Sequence, residues 1–376
     1  RRTVGAFRDE FFVSEEKAQL ACEIAVREKK LLSKLDYKDG FSLYVGIPFC
    51  PSVCSYCSFS SSPIAEWKDK VESYLFALLK EIRAIGKMSE GHRPDSVYIG
   101  GGTPTTLEAE QMDRLLKTIT ENFDLSNVLE FTVEAGRPDS ITEEKLAVIR
   151  KYPVTRISIN PQTMQQKTLD CIGRKHTVED IRQVYAMARE LGFENINMDL
   201  IAGLPGETLD DMKDTLRQIE MFAPDSLTVH ALAMKRASRL TQEKREGSYQ
   251  GNDQADSAAM LSEMIELAAE YAGKMQLVPY YLYRQKNIAG NFENVGYAKV
   301  DKAGIYNILI MEEKQSIVAV GAGASTKIVL PKEKTLIDEK TGNPKQIVRT
   351  ENVKDVEQYI NRIDEMIERK GEWLWH

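Results

Sequence analysis

The chain has 376 residues, 42% of them apolar and 28% charged, with a formal net charge of −7. That is enough apolar material for a sizeable core, and the length suggests two domains or one large domain with an appendage. The charges are mixed rather than blocked, which argues against a phosphate-tracking surface and makes nucleic acid a poor partner.

The chain begins Arg1-Arg2 without a methionine, which points to further sequence upstream. Its first thirty residues lack the apolar centre of a signal peptide, and apolar runs such as 306–311 are too short to span a bilayer, so a cytoplasmic protein is expected. Residues 14–34 read as a charged amphipathic helix within an N-terminal helical extension, 1–40. From residue 41, short β-branched runs alternate with helical patterns, the signature of βα units feeding a parallel sheet. Strands are expected at 42–47, 96–99, 129–134, 155–160, 195–201 and 226–232. Helices are expected at 67–85, 108–122, 143–151, 178–191 and 210–222. Loop residues follow the strands: Pro48, Gly100-Gly101-Gly102, Gly136, Pro161 and Gly203-Leu204-Pro205-Gly206. Six units give a partial (β/α)6 TIM-like barrel over 41–235, open on one side, with its site at the C-terminal strand ends. After residue 235 this rhythm stops. A long helix at 251–274, an aromatic strand at 279–283 and a hairpin-like pair at 306–312 and 316–320 suggest a smaller α+β domain over 236–376.

Three of the five cysteines, Cys50, Cys54 and Cys57, fall within eight positions. Disulfide frameworks belong to short secreted chains with an even cysteine count, so metal ligation is the better reading. Three thiolates at C-x3-C-x2-C can ligate three irons of a four-iron cluster from one irregular loop, leaving the fourth iron open for chemistry. Structural zinc is the alternative, but it wants four closed ligands, and no His or further Cys lies close by in sequence to complete the set. Polar residues end successive strands: Glu134, Gln162 and Asp199, with Arg174 following the fourth. The glycines after the second strand allow backbone to approach a ligand closely. His230 reads as a hydrogen-bonded strand-end histidine, Cys171 as a small helix residue, and Trp373 and Trp375 as packing for a tail.

The cysteine spacing after the first strand of a βα barrel resembles the radical S-adenosylmethionine (SAM) enzymes, and Tyr56 fits the aromatic that family places before the third cysteine. Together with Gly100-Gly101-Gly102-Thr103-Pro104 and the strand-end residues, the sequence is similar to the oxygen-independent coproporphyrinogen III dehydrogenase group. That group includes HemN-type enzymes, HemW-type haem chaperones and HemZ-type proteins, and the segment 280–315 looks most like the HemZ type. The likeness covers about residues 41 to 330. It implies a [4Fe-4S] cluster on Cys50, Cys54 and Cys57, with SAM on the open iron. It also implies SAM contacts from Tyr44, Tyr56, Gly101, Gly102, Thr103, Glu134, Gln162, Arg174, Asp199, Ile201 and Ala233. The implied reaction converts two propionates of coproporphyrinogen III to vinyls through a 5′-deoxyadenosyl radical, with reduced flavodoxin or a ferredoxin as electron donor. A tetracarboxylate substrate would need cations such as Lys235, Arg236, Arg239, Arg284 and Lys286. Cys57 is followed by Ser58 and Phe59, where HemN-type enzymes carry a fourth cysteine; the haem chaperones share this pattern. A haem chaperone, and a methyltransferase or ring-opening enzyme of the same group, are the alternatives.

Overall fold

In the computed structural model the described residues are 2–36, 39–57, 62–233, 254–283, 292–337 and 342–375, with the isolated positions Leu240, Gln242 and Glu246. The six expected strands are present: β1 (Gly40–Ile47), β2 (Arg93–Gly101), β3 (Glu130–Glu134), β4 (Arg156–Ser158), β5 (Ile196–Ala202) and β6 (Ser226–Ala231). All six run parallel and lie side by side in chain order. Near-continuous burial along each strand is what a parallel sheet covered by helices requires.

The helices between them form for legible reasons. After α1 (Arg2–Phe11) and α2 (Glu15–Leu32) come α3 (Val71–Met88), α4 (Ala109–Asn122), α5 (Glu143–Arg150), α6 (Val178–Glu190) and α7 (Leu209–Phe222). In α4 the buried residues Met112, Leu115, Leu116 and Ile119 fall at i, i+3, i+4 and i+7, one stripe against the sheet. Each such side chain contributes roughly 1.5–3 kcal/mol on burial. Capping boxes at Thr177/Asp180 and Thr208/Asp211 start α6 and α7 by satisfying backbone N–H groups that have no helical partner.

Beyond the six, β7 (Val278–Tyr283) and β8 (Asn294–Ala298) extend one edge of the sheet, with β8 antiparallel to β6. Between β6 and β7 runs α8 (Gln254–Lys274). On the other edge β9 (Ile317–Val320) pairs parallel to β1, in the register Ser42↔Ile317 to Val45↔Val320. β10 (Ser325–Val329) and β11 (Ile347–Glu351) follow it antiparallel, so the order is β11-β10-β9-β1-β2-β3-β4-β5-β6-β8-β7.

The expected hairpin over 306–312 and 316–320 is corrected here: its first half is the helix α9 (Ile305–Glu312), and its second half is β9. A short, largely apolar run fits either state by periodicity. Tertiary contacts decide it: the buried Glu130 carboxylate accepts the backbone N–H groups of Ile305 and, at 3.1 Å, of Tyr306, capping the helix from another strand. Two short helices, α10 (Val356–Asn361) and α11 (Ile363–Gly371), close the chain against α3. Among the described residues, no helix is long and apolar enough to cross a membrane.

Candidate active site

At the C-terminal ends of the parallel strands lies a cavity of about 300 Å³, into which the βα loops deliver polar side chains. The loop after β1 carries Cys50, Ser52, Cys54, Tyr56 and Cys57 to its wall, and the loop after β2 brings Gly101, Gly102 and Thr103. The two loops are stitched together: Gly102 N donates to Ile47 O at 2.7 Å and Thr103 N to Phe49 O at 2.7 Å. At Gly102 the approach excludes any side chain, since a Cβ there would sit 2.6 Å from Phe49 O and 3.0 Å from Cys50 Sγ. Gly101 has φ +111°, a conformation that glycine alone takes readily.

Four polar side chains complete the floor. Glu134 accepts from the Tyr98 hydroxyl, and burial pushes its carboxyl up to about 7. Asp199 accepts from Asn197 Nδ2 at 2.7 Å and lies 3.9 Å from His230 Nε2. Burial would raise the Asp199 carboxyl, but His230 and Asn197 outweigh it and hold it below its ordinary value. Gln162 is held at φ +69°, its N donating to Asp199 O at 2.9 Å and its O accepting from Ile201 N at 3.0 Å. A non-glycine residue kept in that region stores strain, which folded proteins tolerate chiefly where geometry matters. Arg174 donates from Nη1 to Asn160 O at 2.6 Å and from Nη2 to Tyr56 OH at 3.2 Å.

The thiols differ electrostatically. Burial pushes Cys50 up to about 11, whereas at Cys54 the same burial is outweighed by the Arg174 and Arg137 guanidiniums, which hold it below its ordinary value. Among the described residues, no group of three His, Cys, Asp or Glu side chains converges to hold a single metal ion. Three thiols lining one cavity suit a cluster, which takes one thiolate per iron.

Residues 44–219 match the family model of the Radical SAM superfamily. Along 371 residues, 98% of this chain, the sequence is 43% identical to the oxygen-independent coproporphyrinogen-III oxidase-like protein HemZ of Bacillus subtilis, 71% of whose length is covered. The chain belongs to the radical SAM superfamily, in its HemN/HemW/HemZ-like group. The haem chaperone HemW of Bacillus subtilis is 37% identical over 197 residues, 52% of this chain and 51% of that protein. The coproporphyrinogen III oxidase HemN of Escherichia coli, described as a radical SAM enzyme, has the same fold: TM-score 0.67 at 23% identity, over 92% of this chain and 74% of that one.

Radical SAM proteins use a [4Fe-4S] cluster and SAM. The cavity suits both. The Gly102 cradle leaves backbone bare beside Cys50, and two buried atoms of its wall, Asn160 Oδ1 and Arg174 Nε, have no hydrogen-bond partner among the described residues. Such orphaned groups are costly unless a ligand or water meets them.

Of the residues expected from sequence, Cys50, Cys54, Cys57, Tyr56, Gly101, Gly102, Thr103, Glu134, Gln162, Arg174, Asp199, Ile201 and Ala233 all line this cavity. Tyr44 does not. It stacks with Tyr98 and Tyr306 at centroid separations of 6.3 and 6.0 Å, its hydroxyl 3.4 Å from where a Cβ on the cavity residue Gly101 would stand. Lys235, Arg236, Arg239, Arg284 and Lys286 lie outside the described residues. Sequence reasoning passed over Arg137, Asn160 and Tyr283, which share the wall. His230 has the expected hydrogen bond, Nδ1 to Tyr283 OH at 2.9 Å, yet it too lines the cavity. Arg137, three positions beyond Glu134, could have been found by reading the whole loop after each strand rather than its last residue.

Proposed function

We propose that this chain is an oxygen-independent coproporphyrinogen III dehydrogenase, converting two propionates to vinyls and yielding protoporphyrinogen IX. The observation that carries the reading is the likeness to HemZ at 43% identity through 98% of the chain, well past the segment matched by the superfamily model. When bound, the cluster and SAM supply a one-electron cleavage that yields a hydrogen-abstracting carbon radical, the protein contributing binding and orientation.

Cys50, Cys54 and Cys57 would hold three irons. The bare backbone at Gly101 and Gly102, with Thr103, suits the amino end of SAM, and Arg174 its carboxylate. Gln162 and Asp199 suit the ribose hydroxyls, and Ile201 and Ala233 the adenine face. At each propionate a hydrogen atom leaves the β-carbon, carbon dioxide departs, and one electron passes to an acceptor. Reduced flavodoxin or a ferredoxin would supply the electron that cleaves SAM. Arg236, Arg239, Arg284 and Lys286 follow Ala233 and Tyr283 of the cavity wall in sequence, and are the cations assigned in this reading to the carboxylates of a tetracarboxylate substrate.

The similarity to HemW supports a second reading, a haem-binding chaperone that keeps the same site without turnover. The deciding experiment supplies cluster-loaded, reduced protein with SAM and coproporphyrinogen III under anaerobic conditions and follows 5′-deoxyadenosine and protoporphyrinogen IX by mass spectrometry. Both products together are expected. Deoxyadenosine without decarboxylation would refute the substrate, and stoichiometric haem binding with neither product would favour the chaperone.

A further inference from the structure

Arg137 has no role in the scheme above, yet the residue is 3% exposed and every arm of its guanidinium fork is committed. Nη1 donates to Ser52 O at 3.1 Å and to Cys54 Sγ at 3.4 Å. Nη2 donates to Ser52 Oγ at 3.0 Å and to Asp139 Oδ2 at 2.7 Å, and Nε to Asp139 Oδ1 at 3.0 Å. Ser52 Oγ in turn donates to Gly173 O at 3.0 Å, so one side chain ties the cysteine loop to the loop that carries Arg174. Behind Asp139, His176 Nδ1 lies 3.7 Å away. Burial would raise the Asp139 carboxyl, but His176 and the Arg137 fork outweigh it and keep it well below the usual carboxylate range. By contrast, Cys50 Sγ receives a neutral hydroxyl, Thr103 Oγ1, at 3.5 Å.

Reduction adds negative charge to a cluster, and a donor on a ligand sulfur stabilises the more negative state; inside a protein, where the dielectric is low, that preference is enlarged. Building on the reading that the three cysteines ligate a [4Fe-4S] cluster, we propose that Arg137 is a positioning residue that favours the reduced cluster through a charge-assisted hydrogen bond to the Cys54 sulfur. Asp139 then sets how much of the guanidinium charge that sulfur feels.

The test is an anaerobic redox titration, followed by electron paramagnetic resonance, of clusters assembled without SAM in the parent, Arg137→Met and Asp139→Asn proteins. Loss of the charged donor in Arg137→Met should make reduction about tenfold less favourable, a shift of ~59 mV to more negative potential for one electron. Asp139→Asn leaves Arg137 on Ser52 and Cys54 with its charge no longer offset, and should shift the couple to more positive potential. A merely structural loosening of the loop would not reverse sign between the two. Shifts of the same sign, or none in either variant, overturn the inference. Should Arg137→Met take up no iron, Asp139→Asn decides alone: a positive shift supports the inference, and a zero or negative one overturns it. A parent protein that assembles no four-iron cluster refutes the ligand assignment itself, and the inference falls with it.

Discussion

Glu81 of α3 and Lys370 of α11 form an ion pair with both side chains fully buried, and Glu81→Gln should destabilise the fold in a way that depends on pH. The Glu81 carboxylate also accepts from Asn352 Nδ2 at 2.9 Å, Gly321 N at 2.9 Å and Tyr359 OH at 2.5 Å, while Lys370 Nζ donates to Asn352 Oδ1 at 2.7 Å. Glutamine keeps the shape and an oxygen for Gly321 and Tyr359, but removes the charge that offsets the burial of Lys370. Burial already pulls the Lys370 amine below its ordinary value, and Glu81 is what opposes that pull. Without it, the least costly state of Lys370 is the neutral amine, which can accept from the new amide. Releasing the proton of a group that titrates near 10.4 in the unfolded chain costs roughly 1.4 kcal/mol per pH unit, so at most about 5 kcal/mol at pH 7 and at most about 2 kcal/mol at pH 9. The sign follows from linkage: a depressed lysine leaves the unfolded state with more bound protons, so the variant gains stability as pH rises. With an unfolding entropy near 2.1 cal/mol/K per residue, a chain of 376 residues loses up to about 6 °C in Tm at pH 7 and up to about 2 °C at pH 9. Scanning calorimetry of the parent and the variant at both pH values measures this. Equal losses at pH 7 and pH 9, or a loss below about 1 °C at pH 7, would refute the reasoning.

Further outcomes concern the cavity. Cys54→Ala should lose the cluster's visible absorbance and SAM cleavage together, because a three-thiolate site loses a ligand outright; iron analysis finding four irons retained would sink the assignment. Asp199→Ala should leave the cluster in place and weaken SAM binding by about 10- to 100-fold, the worth of a hydrogen bond to a charged group, as read by equilibrium binding. Gly102→Ala forces a Cβ to 2.6 Å from the Phe49 carbonyl oxygen and should cost about 1–3 kcal/mol of stability as well as cofactor affinity; denaturant unfolding and SAM binding indistinguishable from the parent would contradict the close approach. Glu134, raised to about 7 by burial, is mostly neutral at pH 6 and mostly ionised at pH 8. If its carboxylate meets the SAM ammonium, affinity should rise about tenfold across that interval, and Glu134→Gln should flatten the profile. The raised carboxyl affects stability with the opposite sign: its contribution is full at acid pH and is lost as pH rises through about 7.

The sequence alone determined the parts of this protein whose cause is local. The six parallel strands and the helices between them lie within a few residues of where hydrophobic period, capping residues and loop glycines put them. The cysteine trio, the glycine triplet and the polar strand ends were legible because a parallel βα repeat delivers every strand end to one face, whatever else the chain does. Distance along the chain hid the rest. The run at 305–312 has no period that distinguishes helix from strand, and it became helical because Glu130, 175 residues away, caps it. Residues 317–320 gave no sign that they would pair with β1. Nothing in the sequence around Arg137 marks it, and only the fold sets it against Cys54 and Ser52. Tyr44 meets Tyr98 and Tyr306 in an aromatic stack that joins three distant parts of the chain. The Glu81–Lys370 pair joins α3 to the last helix across 289 positions, because a buried charge is tolerable only where tertiary packing brings its partner to it.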